Sequence, residues 1–208
     1  MRAIGQAIDV ASLRFEPRAP SADGPRLLGL GRTSPSKGFD RLIRSLAKVR
    51  ADGLDASLRI VGPSTTPPEH RHQVELRRLV DELGVRDAVS ITGGVRPDQV
   101  PGVIRESSAL LNAMVSGSGD KVVFEAMALG RPVLVANAAF APLLAGLPLD
   151  LSFDRTDESD LAIAIRRLAD AGNDPLVETL RELRLRVEHG HSLEGWADRV
   201  MGLAGALR

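Results

Sequence analysis

The sequence predicts an α/β fold of the Rossmann-like, doubly wound kind, with a parallel sheet of about six strands and a helical C-terminal tail. From Arg26 onward, short apolar runs alternate with segments of helical period, and this alternation is typical of repeated βαβ units. The first three apolar runs end at glycines placed at equal intervals, namely Gly31, Gly62 and Gly93. Each interval has the length of about one strand and one helix. After Asp154 the helical period dominates, which predicts the tail.

Composition supports one sizeable domain and excludes several classes of protein. Of the 208 residues, 43% are apolar, which is enough for a single core. The 27 basic residues balance the 27 acidic ones, so no overall field attracts nucleic acid or an anionic membrane. Cysteine is absent, which excludes a thiol nucleophile, a cysteine-bound zinc and disulfides. No apolar run is long enough to span a membrane. The absence of cysteine and of a membrane span predicts a cytoplasmic protein, and the balanced charge predicts no nucleic-acid partner.

The elements follow one another along the chain. Six apolar runs are predicted as strands: 27–30, 58–61, 89–92, 109–114, 133–136 and, least regular, 149–153. Apolar residues at i, i+3, i+4 and i+7 start at Phe39 and at Leu76, and predict helices that cover the sheet. Similar spacings start at Leu161, Leu176 and Leu193 in the tail. The chain is thus divided into a lead-in (1–25), a Rossmann-like domain (26–172) and C-terminal helices (173–208).

Ligands of doubly wound sheets bind at the carboxyl ends of the strands, so the residues that follow each strand are the candidates. After the first strand, Ser34 stands where a dinucleotide fingerprint requires its third glycine, and no acidic residue follows the second strand. A P-loop is excluded as well, because Lys37 precedes Gly38 instead of following it. What remains is a pair of cations, Arg32 and Lys37, at the start of a helix with free backbone amides.

This pair of cations suits a diphosphate. Each charge-assisted hydrogen bond to a phosphate contributes roughly 1.5 to 3 kcal/mol. Lysine occurs only three times in the chain, which draws attention to Lys37. The alternative is that Arg32 and Lys37 are solvated loop charges, and their spacing alone leaves both interpretations open.

After the fourth strand, a glycine-rich loop leads into an apolar helix at 122–129, with Asp120 as the predicted N-cap. Glu125 is a carboxylate among apolar and small residues, which is a costly position for a charge without a partner. The vicinal hydroxyls of a ribose would satisfy both of its oxygens. The alternative, in which Glu125 faces water, stays open at this point.

Metal and hydrolase sites are not predicted. The histidine pairs, His70 with His72 and His189 with His191, have spacings that put no two rings on one face of a helix. Ser118 does not fit the G-x-S-x-G pattern of a serine nucleophile.

Taken together, these residues resemble the carboxyl-terminal half of a GT-B retaining glycosyltransferase of family 4. The likeness covers roughly residues 24 to 170. Four segments follow the family pattern in order: Gly-Arg-x(4)-Lys-Gly-Phe-Asp-Arg-Leu-Ile at 31–43, Leu-Arg-Ile-Val-Gly at 58–62, Val-Ser-Ile-Thr-Gly at 89–93 and Phe-Glu-Ala-Met-Ala-Leu-Gly-Arg-Pro-Val at 124–133. The last segment is the most specific.

The resemblance implies a site for a nucleoside diphosphate sugar. Arg32 and Lys37 are the implied catalytic cations, which hold the donor's diphosphate and offset charge on the leaving nucleotide. Glu125 matches the second glutamate of the family's E-x(7)-E motif and would take the ribose hydroxyls. Neither a metal nor a cofactor is implied. The implied donor-binding residues are Gly31 and Gly62, Gly94 and Val95 at the base, Gly117, Ser118, Gly119 and Asp120 at the phosphates or sugar, and Lys121 and Glu125.

The sequence departs from the family pattern in two ways. Gly117 stands where the first glutamate of E-x(7)-E is expected, and the nearby Asp120 is interpreted as capping the helix. Only one of two GT-B domains is accounted for, so an N-terminal acceptor-binding domain is the expected partner, joined through 1–25. The expected function is donor binding in retaining sugar transfer, with little transfer by this domain alone. The alternatives are a non-catalytic nucleotide-sugar-binding or interaction module, and another GT-B enzyme such as a sugar epimerase.

Overall fold

The computed structural model describes residues 6–18, 24–114, 119–157 and 159–205, with side chains as far as Met201. Strands and helices alternate through most of the chain. The strands are β1 (Arg26–Leu30), β2 (Ser57–Val61), β3 (Val89–Thr92), β4 (Ala109–Asn112) and β5 (Val133–Val135). The helices are α1 (Phe39–Ala51), α2 (Pro67–Glu82), α3 (Val100–Glu106), α4 (Lys121–Ala128), α5 (Ala141–Leu144), α6 (Asp160–Ala169), α7 (Asn173–His191) and α8 (Leu193–Gly205).

The five strands form one parallel sheet in the order β3-β2-β1-β4-β5. Leu27 of β1 pairs with Leu58 of β2 on one side and with Ala109 of β4 on the other. The chain moves outward from β1 to β3 and then returns to place β4 on the free side of β1. The strand order therefore reverses between β1 and β4, and we refer to the carboxyl end of these two strands as the switch point. In doubly wound sheets, ligands bind at this position.

The sixth strand, predicted at 149–153, does not form, so a sheet of six strands is wrong. Ser152 makes only an isolated parallel bridge with Val135. The Asp150 carboxylate accepts hydrogen bonds from the backbone N–H and the hydroxyl of Ser152, at 2.9 and 2.6 Å. This local turn competes with a continuous ladder. The other five strands form as predicted, although β4 ends at Asn112.

The predicted apolar faces of the helices are buried, except in α8. In α1, Leu42, Ile43 and Leu46 are each 0% exposed, and the predicted faces of α6 and α7 are buried in the same core. In α8, by contrast, Leu193 is 47% exposed and Trp196 is only half-buried. Because α8 packs chiefly on α7, its described apolar side chains are covered only in part.

The segment 6–18 packs into the domain. Ile8 is buried and forms a parallel bridge with Ser192. Arg184 of α7 holds the same segment, because its Nη1 donates to the carbonyl of Leu13 at 2.6 Å. These contacts join the beginning of the chain to the C-terminal helices.

The domain limits at 25 and 172 and the cytoplasmic location stay predictions. Within the described residues, no helix is both long enough and apolar enough to cross a membrane.

Candidate functional site

The loops that follow β1 and β4 meet at the switch point. Gly38, directly before α1, has a left-handed backbone with a φ of 65°. A Cβ on Gly38 would lie 2.9 Å from the Cβ of Ala113, which directly follows β4. Glycine suits both the backbone and the close approach, and this approach brings Lys37 to the end of β4. The Lys37 side chain lies against Gly31, whose added Cβ would be 2.9 Å from Lys37 Cε.

An ion pair spans the switch point. Lys37 Nζ donates to Oδ2 of Asp120, and the amide of Asn112, the last residue of β4, donates to the same oxygen at 3.0 Å. Both ionic side chains are largely buried, with 17% of Lys37 and 12% of Asp120 exposed. These two charges therefore face each other in a site that is mostly shielded from water.

The capping role predicted for the Asp120 side chain is wrong. Asp120 does occupy the N-cap position of α4, but its side chain accepts no capping hydrogen bond. Only its backbone carbonyl takes part in the helix, by accepting from the N–H of Val123 at 2.9 Å. The carboxylate is turned instead toward Lys37 and Asn112, because the approach of the β1–α1 loop supplies a stronger, charged donor.

Glu125 is mostly buried, so the alternative in which it faces water does not hold. Its side chain is 15% exposed, and its Oε1 lies 3.3 Å from Nζ of Lys121, one helical turn earlier. Burial raises the pKa of Glu125 above its ordinary value, the Lys121 charge opposes this rise, and the negative charge of Asp120 adds to it. Glu125 and Asp120 thus share one electrostatic environment. Lys121 itself is 61% exposed.

Arg32 lies on the β1–α1 loop at the same edge of the sheet, but it is mostly exposed. Its side chain is 68% exposed, and its Nη1 lies 3.4 Å from Oε1 of Glu69. Glu69 is buried at the start of α2, where its Oε2 accepts the N–H groups of Thr65 and Thr66 at 2.8 and 3.1 Å. The hydrogen bonds from Thr65 are the main cause that lowers the pKa of Glu69. Much of the Arg32 guanidinium therefore remains open to solvent.

Sequence reasoning missed Glu69 and Asn112. Glu69 could have been found as the last residue of a capping box that begins at Thr66, since a Ser or Thr followed three residues later by Glu marks a helix start. Asn112 carries a weaker signal, namely that it is the polar residue that ends an apolar strand. Its amide is oriented by the N–H of Met114, which donates to Asn112 Oδ1 at 3.2 Å.

Two glycines predicted to bind the donor have a packing role. A Cβ on Gly62 would fall 1.7 Å from the carbonyl oxygen of Gly31, and one on Gly94 would fall 3.0 Å from Cδ of Pro63. The loops after β1, β2 and β3 therefore stack closely on one another. Contact of Gly62, Gly94 and Val95 with a donor stays a prediction.

The glycine-rich loop before α4 is described from Gly119 onward. Gly119 is buried with a φ of 105°, and a Cβ there would lie 3.1 Å from the ring of Phe124. Gly117 and Ser118 lie outside the described residues, so the role of their amides stays a prediction.

The raised pKa of Glu125 predicts a pH-dependent stability. A carboxyl with a higher pKa in the folded protein than in the unfolded one stabilises the fold when protonated, so its contribution is complete below the ordinary value of 4.5 and is lost as the pH rises through the raised pKa. Relative to Glu125→Gln, the wild type should therefore lose free energy of unfolding as the pH rises above the ordinary carboxyl value of 4.5 and through the raised pKa of Glu125. Urea unfolding of both proteins across this range measures the difference. A difference that is constant, or that shifts in favour of the wild type, contradicts burial as the main cause.

The fold and the site define a doubly wound α/β domain whose charged side chains gather where the strand order reverses. A model of the family "Glycosyl transferases group 1" matches residues 24–171. The chain belongs to this family, which confirms the relationship predicted from the sequence motifs.

Individual relatives agree with this assignment. The D-inositol 3-phosphate glycosyltransferase of Acidothermus cellulolyticus is 31% identical over 196 residues, which cover 89% of this chain and 41% of that protein. The chain therefore spans about two fifths of the length of this curated relative. The GDP-mannose-dependent alpha-(1-6)-phosphatidylinositol monomannoside mannosyltransferase of Mycobacterium tuberculosis (strain CDC 1551 / Oshkosh) is 34% identical over 125 residues, which cover 57% of this chain and 31% of that protein.

Solved structures share the fold. Anabaena Alr3699/HepE in complex with UDP and glucose is similar with a TM-score of 0.80 at 17% identity, over 96% of this chain and 55% of that chain. The C-terminal domain of the glycosyl transferase group 1 family protein LpcC from Francisella tularensis is similar with a TM-score of 0.74 at 16% identity, over 90% of this chain and 100% of that chain. The fold is thus that of a GT-B glycosyltransferase domain.

Proposed function

We propose that this chain is the donor-binding domain of a glycosyltransferase, which holds a nucleoside diphosphate sugar while the sugar is transferred to an acceptor with retention. The observation that carries the proposal is the position of Lys37 at the switch point, against the start of α4, with the mostly buried Glu125 in the second turn of the same helix. A cation and a carboxylate so placed match the two ends of a nucleoside diphosphate, which offers phosphate oxygens at one end and ribose hydroxyls at the other.

The phosphate end is held by positive charge. Lys37, the exposed Arg32 and the first two backbone amides of α4, those of Lys121 and Val122, would donate to the diphosphate oxygens, each charged contact contributing roughly 1.5 to 3 kcal/mol. As the bond from the sugar to the diphosphate breaks, negative charge accumulates on the leaving nucleotide. Cations that already lie at that position stabilise this charge without reorganisation. The proposal therefore needs neither a metal nor a cofactor.

The ribose end is held by Glu125. Two vicinal hydroxyls can donate to its two oxygens and replace the contact with Lys121, whose exposed side chain can turn to solvent. Because these donors favour the ionised carboxylate, nucleotide binding compensates for the burial that raises the pKa of Glu125.

The proposed partner is an acceptor-binding domain, in line with the short span of this chain relative to its relatives. The reaction would take place in the cleft between the two domains. Alone, this chain should bind nucleotide and transfer little or no sugar, because none of its described site residues is assigned to an acceptor.

Calorimetric titration of the 208-residue chain with UDP, GDP and ADP and with their sugar conjugates, in the presence of EDTA, tests the proposal. Binding of at least one of these ligands is expected, at a molar ratio of one to one. Binding that requires added Mg²⁺ would refute the metal-free site. Absence of binding at millimolar ligand would refute the donor site and favour an interaction module.

A further inference from the structure

The carboxylate of Asp120 is an unexpected neighbour for a phosphate-binding lysine. Its Oδ2 accepts from both Lys37 and Asn112, while its Oδ1 accepts no hydrogen bond from any side chain or backbone group in the described part of the chain. The side chain is 12% exposed and does not cap α4. A carboxylate at this place repels a diphosphate, whereas its Oδ1 can accept a hydrogen bond from a ligand group that donates one.

We propose that Asp120 is a specificity-determining residue that accepts hydroxyl groups of the transferred sugar and makes the site prefer a sugar nucleotide over the free nucleoside diphosphate. This inference rests on the proposed function. An ionised carboxylate only accepts hydrogen bonds, and the sugar nucleotide offers hydroxyl donors on its ribose and on its transferred sugar. Asp120 could therefore accept either the ribose hydroxyls or the hydroxyls of the transferred sugar.

The positions along α4 decide between the two sets of hydroxyls. Glu125 is assigned to the ribose, and it lies five residues beyond Asp120, which is about 7.5 Å along a helix axis. Lys37 is assigned to the diphosphate and contacts Asp120 directly. The diphosphate separates the ribose from the transferred sugar. Asp120 lies beside the diphosphate on the side away from Glu125. The hydroxyls nearest to Asp120 are therefore those of the transferred sugar.

Charge acts in the same direction. A terminal phosphate ionises a second time with a pKa of about 6, whereas the sugar-linked phosphate has lost that ionisable oxygen to the glycosidic bond. The free nucleoside diphosphate therefore carries about one more negative charge at neutral pH. Asp120 repels this extra charge, which disfavours the product relative to the donor and assists its release.

The test compares two ligand pairs on the full chain, UDP with UDP-glucose and GDP with GDP-mannose, by calorimetry with the wild type and Asp120→Asn. The variant should bind the sugar nucleotide about 10-fold more weakly, since a hydrogen bond to a charged group is lost, while the free diphosphate binds equally or more tightly. The preference for the sugar nucleotide thus falls by 10-fold or more. Equal weakening of both ligands would overturn the proposal, because it would show that Asp120 only positions Lys37.

Two further variants complete the test. Asp120→Glu keeps the charge but moves the carboxylate, so it should weaken binding of the sugar nucleotide and leave the affinity for the free diphosphate unchanged. This variant replaces Asp120→Asn in the test if Asp120→Asn does not fold. Asp81→Asn is the matched control, because Asp81 pairs with Arg86 at 2.6 Å near the far end of α2, and it should alter neither affinity. If the wild type binds no nucleotide, the proposed function fails together with this inference. If it binds both ligands and Asp120→Asn leaves their ratio unchanged, only the role of Asp120 fails.

Discussion

Replacement of Lys37 by alanine should weaken nucleoside diphosphate binding by about 10- to 100-fold. Lys37 is the mostly buried cation at the switch point, where shielding from water strengthens its attraction to phosphate. The substitution also leaves the Asp120 charge without its cation, and this charge then repels the ligand. Calorimetry with whichever of UDP, GDP and ADP binds the wild type most tightly measures the loss.

Two variants separate the causes of this loss. Lys48→Ala is the matched control, because Lys48 lies near the end of α1 and donates to the hydroxyl of Ser159 at 3.0 Å; it should bind nucleotide as the wild type does. In the double variant Lys37→Ala, Asp120→Asn, affinity for the free diphosphate should recover in part, since the unpaired carboxylate is gone. An affinity of Lys37→Ala within about threefold of the wild type would mean that Lys37 does not hold the phosphates.

Replacement of Arg131 by methionine should lower the free energy of unfolding by about 2 to 4 kcal/mol. Arg131 is 3% exposed, and its guanidinium donates to four backbone carbonyls, those of Glu16, Leu129, Gly130 and Arg105. Methionine fills most of the space but donates nothing, so the part-buried carbonyls of Glu16 and Arg105 lose this donor. The carbonyls of Leu129 and Gly130 keep a second donor, the backbone N–H groups of Glu16 and Arg18. Urea unfolding monitored by circular dichroism measures the change.

The contrast for Arg131 is an exposed arginine. Arg78 is 81% exposed and pairs with Glu82 one turn later, with Nε at 2.8 Å from the carboxylate, and such pairs contribute only about 0.3 to 0.5 kcal/mol. Arg78→Met should therefore change stability little. Equal effects of the two substitutions would show that the carbonyl contacts of Arg131 do not stabilise the fold.

Glycine-bounded apolar runs predicted β1 to β5, because strands of a parallel sheet that is covered by helices are rich in apolar residues. β3, which lies at the edge of the sheet, is the least buried of the five. The same signal was wrong at 149–153, where the decisive interaction is local: the side chain of Asp150 bonds to Ser152 and bends the chain. In α8 the periodicity correctly predicted a helix, but the apolar face that it predicted to be buried is partly exposed. Periodicity identifies an apolar face and does not show which element covers it. Leu193 remains 47% exposed for this reason.

The candidate site could be predicted in part. Lys37 and Glu125 were predicted at one edge because each follows a strand of a parallel sheet, and that prediction depends only on topology. The partner of Asp120 could not be read from the sequence, since an aspartate before a helix fits a cap equally well. The orientation of the Asp120 side chain depends on the close approach of Gly38 to Ala113. This tertiary contact places Lys37 beside the carboxylate.

The most direct test of the site compares a nucleoside diphosphate with inorganic pyrophosphate as ligands of the wild type, Lys37→Ala and Glu125→Gln. If Lys37 holds the phosphates, Lys37→Ala weakens binding of both ligands. If Glu125 holds the ribose, Glu125→Gln weakens binding of the nucleoside diphosphate about 10-fold and leaves the affinity for pyrophosphate unchanged or slightly higher. If Glu125→Gln weakens both ligands equally, or neither, then Glu125 does not bind the ribose and the two residues do not hold opposite ends of one nucleotide.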